Sequence, residues 1–358
     1  MKIGIDISQV VYGTGVSIYT KELVKSLLKV DHENEYILFG GYLRRKGDLT
    51  SFVSSLAGRF QTRLIPFPPV VANLLWNRLH ILKFEDIAGK IDVYHSSDWA
   101  QAPSDAFKVT TIHDLAPFKF PRLTPKSIIS AHTARLKWVV KEVDRVIVPS
   151  FSTKADLVEL GIEERRIRVI YEAPGAYFKP QSDLAINKVL KKYKIPGNYV
   201  LSVGVGGRKN IERIIKAFEL VRPGKNLVLV LVGRREGMKE DERGIRYVGQ
   251  VADIELATLY SGAEALIYPS LYEGFGLPIL QAFACGCPVV TSNISSMPEI
   301  AGDAALLVDP YSVESIQEGI KRALAGKKGL VKEGFNQVKH FSWEKTAIET
   351  LSVYREVA

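Results

Sequence analysis

The chain predicts a doubly wound α/β protein built in two similar halves, and three observations predict it. These are its length, the alternation of short apolar runs with helical stretches, and a proline-broken connector near its middle. At 358 residues it exceeds the size, about 250–300 residues, at which single cores stop growing. Apolar runs recur at residues 2–7, 36–39, 62–66, 93–95, 108–113, 145–149 and 167–170, and then at 199–203, 228–232, 245–248, 265–268, 289–291 and 305–308. Each is short and is followed by a helical stretch, the pattern of strands in a parallel sheet. Between the two series lies Glu172-Ala173-Pro174-Gly175-Ala176-Tyr177-Phe178-Lys179-Pro180, whose prolines and glycine suit a connector. The expected division is a Rossmann-like domain at 1–175, a second at 176–340, and a terminal helix at 341–358 with Ser342 as its N-cap. Open parallel sheets bind ligands beyond the C-terminal ends of their strands, so chemistry is expected there, in a cleft between the halves.

Composition narrows the function. With 46% apolar and 24% charged residues the chain is an ordinary globular protein. It has no run of eighteen uncharged apolar residues, and MKIGIDISQV opens on a strand pattern rather than an export signal, so a cytoplasmic protein is expected. Its two cysteines, Cys285 and Cys287, sit in one triplet, which suits small buried helix-end residues better than a disulfide framework or a zinc site. A net charge of +9 favours anionic partners such as nucleoside diphosphates or phospholipid headgroups. Nucleic acid is not expected, because neither a zinc-finger spacing nor an aromatic RNP-like strand is present. The proline-broken apolar segment 65–76, followed by Arg78 and Lys83, reads either as a buried loop and core helix or as a surface that meets the inner face of the membrane.

The segment YPSLYEGFGLPILQAFACGCPVVTSNISSMPEIA, residues 268–301, is the most informative. A strand runs into the turn Glu273-Gly274-Phe275-Gly276-Leu277-Pro278, and a helix follows. Glycines let a backbone approach a phosphate, and the helix start points N–H groups and a positive dipole end at it. Gln281, eight residues after Glu273, lies about one turn inside the helix, so both can face one ligand. Glu299, after the next strand, either faces the ligand or caps the following residues.

Further strand ends carry chemistry. Val203-Gly204-Val205-Gly206-Gly207-Arg208-Lys209-Asn210 delivers two cations to a helix start, where they can neutralise a departing diphosphate without a metal. The plainer alternative is a flexible basic loop with Asn210 as N-cap. Tyr12-Gly13-Thr14-Gly15 opens another helix, as a ligand loop or as a simple strand-to-helix turn. His113-Asp114 ends one strand and His95-Ser96-Ser97-Asp98 another. Pro149-Ser150-Phe151-Ser152 begins a helix, where Ser150 is either a ligand-facing group or a cap.

These motifs together resemble the retaining nucleotide-sugar glycosyltransferases of family 4, the glycosyltransferase group 1 superfamily, which have the two-domain GT-B fold. Family members typically read EGFGLPxLEAMACGxPVV where this chain reads EGFGLPILQAFACGCPVV, so Glu273 matches and Gln281 replaces the second acid. GTxxPRKN, GTGIGRYT, HDLxP and VPSxFSK find counterparts at Arg208-Lys209-Asn210, Gly13 to Tyr19, His113-Asp114 and Pro149 to Phe151, with Val16-Ser17-Ile18 departing from the usual residues. The resemblance implies that Glu273 and His113 lie against the donor hexose, that Arg208 and Lys209 clamp its diphosphate, and that the second acid, here Gln281, meets the ribose hydroxyls. Gln can still accept one hydrogen bond and donate another. Gly13, Gly15, Gly207, Gly274, Phe275, Gly276, Leu277 and Glu299 complete the implied donor site, with His95 and Ser150 toward the acceptor.

The expected activity is metal-independent transfer of a hexose, with GDP-mannose or a UDP-hexose as donor, to a hydroxyl of a saccharide or lipid-linked saccharide in polysaccharide or glycolipid synthesis. No other cofactor is expected, and the net charge leaves room for peripheral membrane association. Two alternatives stand beside it: a nucleotide-sugar-binding protein without turnover, and a GT-B-fold epimerase.

Overall fold

Every apolar run becomes a strand, and every strand pairs in parallel with its neighbours. The structure, a computed structural model, describes residues 1–13, 15–233 and 244–357. One sheet contains β1 (Lys2–Asp6), β2 (Glu35–Gly41), β3 (Phe60–Ile65), β4 (Val93–Ser96), β5 (Phe107–Thr111), β6 (Arg145–Val148) and β7 (Ile167–Val169), in the order β3-β2-β1-β4-β5-β6-β7. The other contains β8 (Tyr199–Val203), β9 (Val228–Val232), β10 (Ile245–Gly249), β11 (Ala265–Tyr268), β12 (Val289–Ser292) and β13 (Leu306–Val308), in the order β10-β9-β8-β11-β12-β13. Strand order reverses between β1 and β4 in the first sheet and between β8 and β11 in the second. At such a point the connections leaving neighbouring strands diverge and open a crevice at the strands' C-terminal ends.

Two compact units are present, Met1–Glu172 with Ser342–Ala358, and Ala173–Phe341. In the second, β9 reads VLVLV and is buried throughout, because helices cover both faces of its sheet. Leu229, Leu231 and Ile267 pack with Ile214 and Phe218 of the helix Ile211–Val221, and with Ile316 and Ile320 of the helix Val313–Ala325. Each such side chain contributes about 1.5–3 kcal/mol by leaving water. The first unit has an aromatic core around Phe39, Trp76, Phe84 and Tyr94.

The terminal helix Trp343–Tyr354 belongs to the first unit and packs on the helix Gly15–Val30. Ser342 caps it, its hydroxyl accepting the Lys345 N–H at 3.2 Å, and Trp343, Ala347, Leu351 and Tyr354 form its buried face. Beyond it, Glu356 pairs with Arg145 and Arg168. The apolar segment at 65–76 is buried in one part and exposed in another. Phe67, Ala72 and Trp76 are buried, whereas Val70 and Leu74 are exposed. Among the described residues no helix is long and apolar enough to cross a membrane.

Candidate active site

The loops leaving β8 and β11 meet at the point where strand order reverses in the second sheet. Leaving β8, Gly204 adopts φ +87°, and a Cβ there would stand 3.0 Å from both Cγ and Cε of Lys209, whose stem lies across it. A short turn, Gly207–Lys209, then presents both cations. Gly204→Ala is therefore expected to lose about 1–2 kcal/mol of stability through left-handed strain and to weaken donor binding by displacing Lys209, as a thermal melt with and without nucleotide sugar would read.

Asn210 corrects an expectation. It is not a side-chain N-cap: at φ +64° its backbone is left-handed rather than extended, so its side chain does not reach the helix N–H groups. Its buried carboxamide donates instead to the carbonyls of Pro269 at 3.0 Å and Pro310 at 2.6 Å. The β8 loop is thereby stitched to the loops after β11 and β13.

Glu273, only 7% exposed, sits in the turn after β11. Lys209 Nζ donates to its Oε1 at 2.6 Å and to the hydroxyl of buried Tyr268 at 2.6 Å. Arg208 Nη1 stands 3.6 Å from Oε2 and donates to the Tyr272 carbonyl at 3.3 Å. Burial alone would raise the Glu273 carboxyl, but the charges of Lys209 and Arg208 outweigh it and hold it below its usual range. Two cations thus meet one carboxylate, which leaves the cluster with a positive balance suited to an anion.

The turn itself is held from the loop after β12. The Ser296 hydroxyl is buried within donating distance of the carbonyls of Glu273 at 2.9 Å and Phe275 at 2.7 Å. Ser295 Oγ accepts the Glu273 N–H at 3.2 Å and donates to the Glu273 carbonyl at 2.8 Å. Gly276, at φ +106°, makes the bend that a side chain would strain, and the helix Leu277–Ala284 starts beyond it with Pro278 in its first turn. The Gly274-Phe275-Gly276 backbone is thus fixed at a helix N-terminus, where N–H groups and the dipole favour negative charge.

Other expected donor residues are placed differently. The Phe275 ring packs edge-on against Phe341 at 6.2 Å, so it anchors the turn. Gln281 is buried, and its carbonyl oxygen accepts the Tyr260 hydroxyl at 3.3 Å, facing the protein interior. Glu299 lies half-buried in the first turn of the helix Met297–Ala301, Leu277 is half-buried, and Gly207 is exposed.

In the first unit, β5 ends at Thr111, and His113 follows two residues later. Its Nδ1 donates to the buried carboxylate of Glu172 at 3.0 Å, since a carboxylate can only accept. The Tyr19 ring meets it edge-on at 4.5 Å, and its buried Nε2 has no partner among the described residues. Burial, the largest single effect, pulls the imidazole pKa down. The hydrogen bond and charge of Glu172, with Asp98 and Asp114, more than reverse this and leave it raised.

His95 and Ser150 depart from the acceptor-side expectation. The His95 ring is 3% exposed and both nitrogens are engaged, Nδ1 with the Tyr354 hydroxyl at 2.6 Å and Nε2 with Thr111 Oγ1 at 2.9 Å. Burial, with the charges of His113 and Arg135, lowers its pKa to about 3, so it is a neutral tie to the terminal helix. Ser150 is fully buried and caps the helix Phe151–Glu159, accepting the Thr153 N–H at 3.1 Å. Gly13 takes φ +67° and Gly15 begins its helix, both with open space where a Cβ would stand, while Thr14 lies outside the described residues.

Tyr268, Ser295, Ser296 and Glu172 were not among the expected site residues. Only Ser295-Ser296 carried a signal, as small polar residues in a loop at a strand end. Among the described residues no three His, Cys, Asp or Glu side chains gather as a metal ion would require.

Two doubly wound sheets, one with an anion-suited cluster where its strand order reverses, define a GT-B nucleotide-sugar transferase. The chain belongs to glycosyltransferase family 4: the profile described as Glycosyl transferases group 1 matches residues 186–334, and Glycosyltransferase Family 4 matches residues 13–173. It is similar to the O-antigen chain mannosyltransferase B of Escherichia coli, 31% identical over 368 residues and covering 96% of each chain. An O-antigen chain mannosyltransferase of Salmonella typhimurium is 31% identical over 221 residues, 59% of each chain. The sucrose-phosphate synthase of Thermosynechococcus elongatus shares the fold, with a TM-score of 0.73 at 20% identity over 100% of this chain and 99% of that one. The protein is accordingly a retaining hexosyltransferase that takes a nucleotide-sugar donor and a saccharide acceptor, which sets aside the non-catalytic and epimerase alternatives.

Proposed function

We propose that this enzyme transfers mannose from GDP-mannose to a hydroxyl of a growing surface polysaccharide, without a metal ion. The clustering of Arg208 and Lys209 around Glu273 carries this reading, because it offers a positive site to a diphosphate where strand order reverses. The names of the two O-antigen relatives support mannose as the sugar. The bond from the anomeric carbon to the phosphate oxygen breaks, and the diphosphate departs with the electron pair toward Arg208, Lys209 and the amides of the Gly274–Gly276 turn. The acceptor oxygen bonds to the same face of the anomeric carbon and passes its proton to the leaving phosphate oxygen. His113 is assigned to a hydroxyl of the hexose.

Acceptors carried on lipid at the inner face of the membrane fit this reading. The exposed Val70, Leu74 and Leu79 beside Arg78 suit peripheral contact with an anionic bilayer.

A thermal-shift panel of GDP-, UDP- and ADP-sugars, followed by product analysis with and without chelator, tests the proposal. A ligand present at a hundred times its Kd stabilises the native state by about 2.7 kcal/mol. GDP-mannose is expected to give the largest shift and an α-linked product that chelator does not abolish. A shift confined to UDP-sugars would remove mannose from GDP-mannose as the reaction, and loss of product on chelation would remove the metal-free mechanism.

A further inference from the structure

The first sheet also reverses its strand order, between β1 and β4, and a cavity of about 360 Å³ opens beside that point. Five of its lining side chains are aromatic. Phe39, Phe67 and Trp76 form one side, with ring centroids 4.8–6.2 Å apart. Tyr12 and Trp99 meet edge-on at 5.9 Å on the other. At the end of β1 the Asp6 carboxylate faces this space while only 3% exposed, one oxygen accepting the Ser8 N–H at 2.9 Å.

The wall is irregular in a way that packing maintains. Asn73–Arg78 forms a π-helical turn, and His80 and Leu82 follow in left-handed backbone at φ +54° and +67°. Residues held there cost about 1–3 kcal/mol each and persist only where their surroundings over-determine them. Here Trp76 Nε1 donates to the Leu82 carbonyl at 3.0 Å, and His80 Nδ1 bonds the Trp76 carbonyl at 2.9 Å. Such departures gather at functional sites.

Charge identifies the occupant. The chain carries +9 overall, yet among the described residues lining this cavity there is no Lys, Arg or His, and one is Asp. We infer that the cavity binds an uncharged pyranose of the acceptor and discriminates against saccharides bearing phosphate or carboxylate. Calling the ligand an acceptor rests on the transferase reading; the selectivity for neutral sugar does not. A pyranose presents an apolar C–H face, which suits flat aromatic rings, and an edge of hydroxyls. The Tyr12 hydroxyl, the Trp99 indole N–H, the Asn73 amide and the Asp6 carboxylate supply hydrogen-bonding groups for that edge. An anionic substituent would meet a buried carboxylate with no cation to compensate it. Burial already raises the Asp6 pKa above its ordinary range, and a second negative charge beside it is disfavoured for the same reason.

Ligand-observed NMR on the full chain, without donor, tests the inference with the methyl glycosides of mannose, glucose, galactose and rhamnose against mannose 6-phosphate and glucuronate. At least one neutral glycoside is expected to bind, and the two anions to bind roughly tenfold or more weakly. Trp99→Ala should weaken the neutral ligand by about tenfold, and Asp6→Asn should narrow the gap between neutral and anionic sugars. Tyr12→Phe, a smaller change at a half-buried position, repeats the test if either variant loses its cooperative melt. Anions binding as tightly as neutral sugars, no neutral glycoside binding, or wild-type affinity in folded Trp99→Ala and Tyr12→Phe would each overturn the inference. Failure of the transferase proposal would appear separately, as absence of donor turnover with this binding intact.

Discussion

Replacing Lys209 by methionine should lower kcat by roughly a hundred- to a thousandfold, the usual loss when one group that stabilises developing charge is removed. Methionine keeps much of the stem that lies over Gly204, so the loop retains its course and the change is chiefly one of charge. Of its two cations Glu273 then keeps Arg208, 3.6 Å away, in place of the ammonium at 2.6 Å. Stripping one partner from a buried ion pair costs about 3–5 kcal/mol, part of which Glu273 recovers by taking up a proton as its lowered pKa rises. The Lys209→Met, Glu273→Gln double variant should consequently melt higher than the sum of the single changes predicts, because neighbours in one cluster do not add. Steady-state kinetics and a double-mutant cycle of melts provide the check. A folded Lys209→Met protein with near wild-type kcat would end the assignment of this cluster to the departing diphosphate.

Glycine turns at the ends of strands made this cluster legible in the sequence. Gly204 to Asn210 and Glu273 to Leu277 each come after a short, largely apolar run, and the order of runs and helices places both at the C-terminal edge of one parallel sheet. Local periodicity, however, cannot say which distant side chain closes an open hydrogen bond. His95 reads as a polar residue at a strand end, yet its Nδ1 is taken by Tyr354, 259 residues later. Ser150 offered two readings, and the buried helix start decided for the cap. Asn210 looks like an N-cap by residue type, but its left-handed backbone sends the carboxamide to Pro269 and Pro310. Gln281 keeps the helical spacing that suggested a ligand contact, while Tyr260 on a different helix takes its carbonyl. The cavity beside β1 was least legible of all, since its walls come from segments between Asp6 and Ala131 with no shared motif.

Glu172, which the sequence shows only as part of a connector, should control the charge of His113. In Glu172→Gln the amide oxygen can still accept from Nδ1, so geometry is kept while the negative charge is lost. Asp98 and Asp114 remain, opposed by burial, and the His113 pKa should fall. The sign of the stability change follows from linkage. A histidine whose folded pKa is raised contributes stability that is full below its unfolded pKa, about 6.5, and disappears as pH rises through the folded value. The wild type should therefore exceed Glu172→Gln by roughly 1.5–3 kcal/mol below that pH, the range for hydrogen bonds to charged groups, and the gap should narrow toward alkaline pH. With His113 assigned to the hexose, the same loss lowers kcat/KM at neutral pH by about ten- to a hundredfold, and the alkaline limb of the pH profile moves to lower pH. NMR titration of the His113 Cε1–H, beside melts and kinetics across pH, reads all three. A His113 that titrates identically in both proteins, with melting curves offset equally at every pH, would reduce Glu172 to a packing residue.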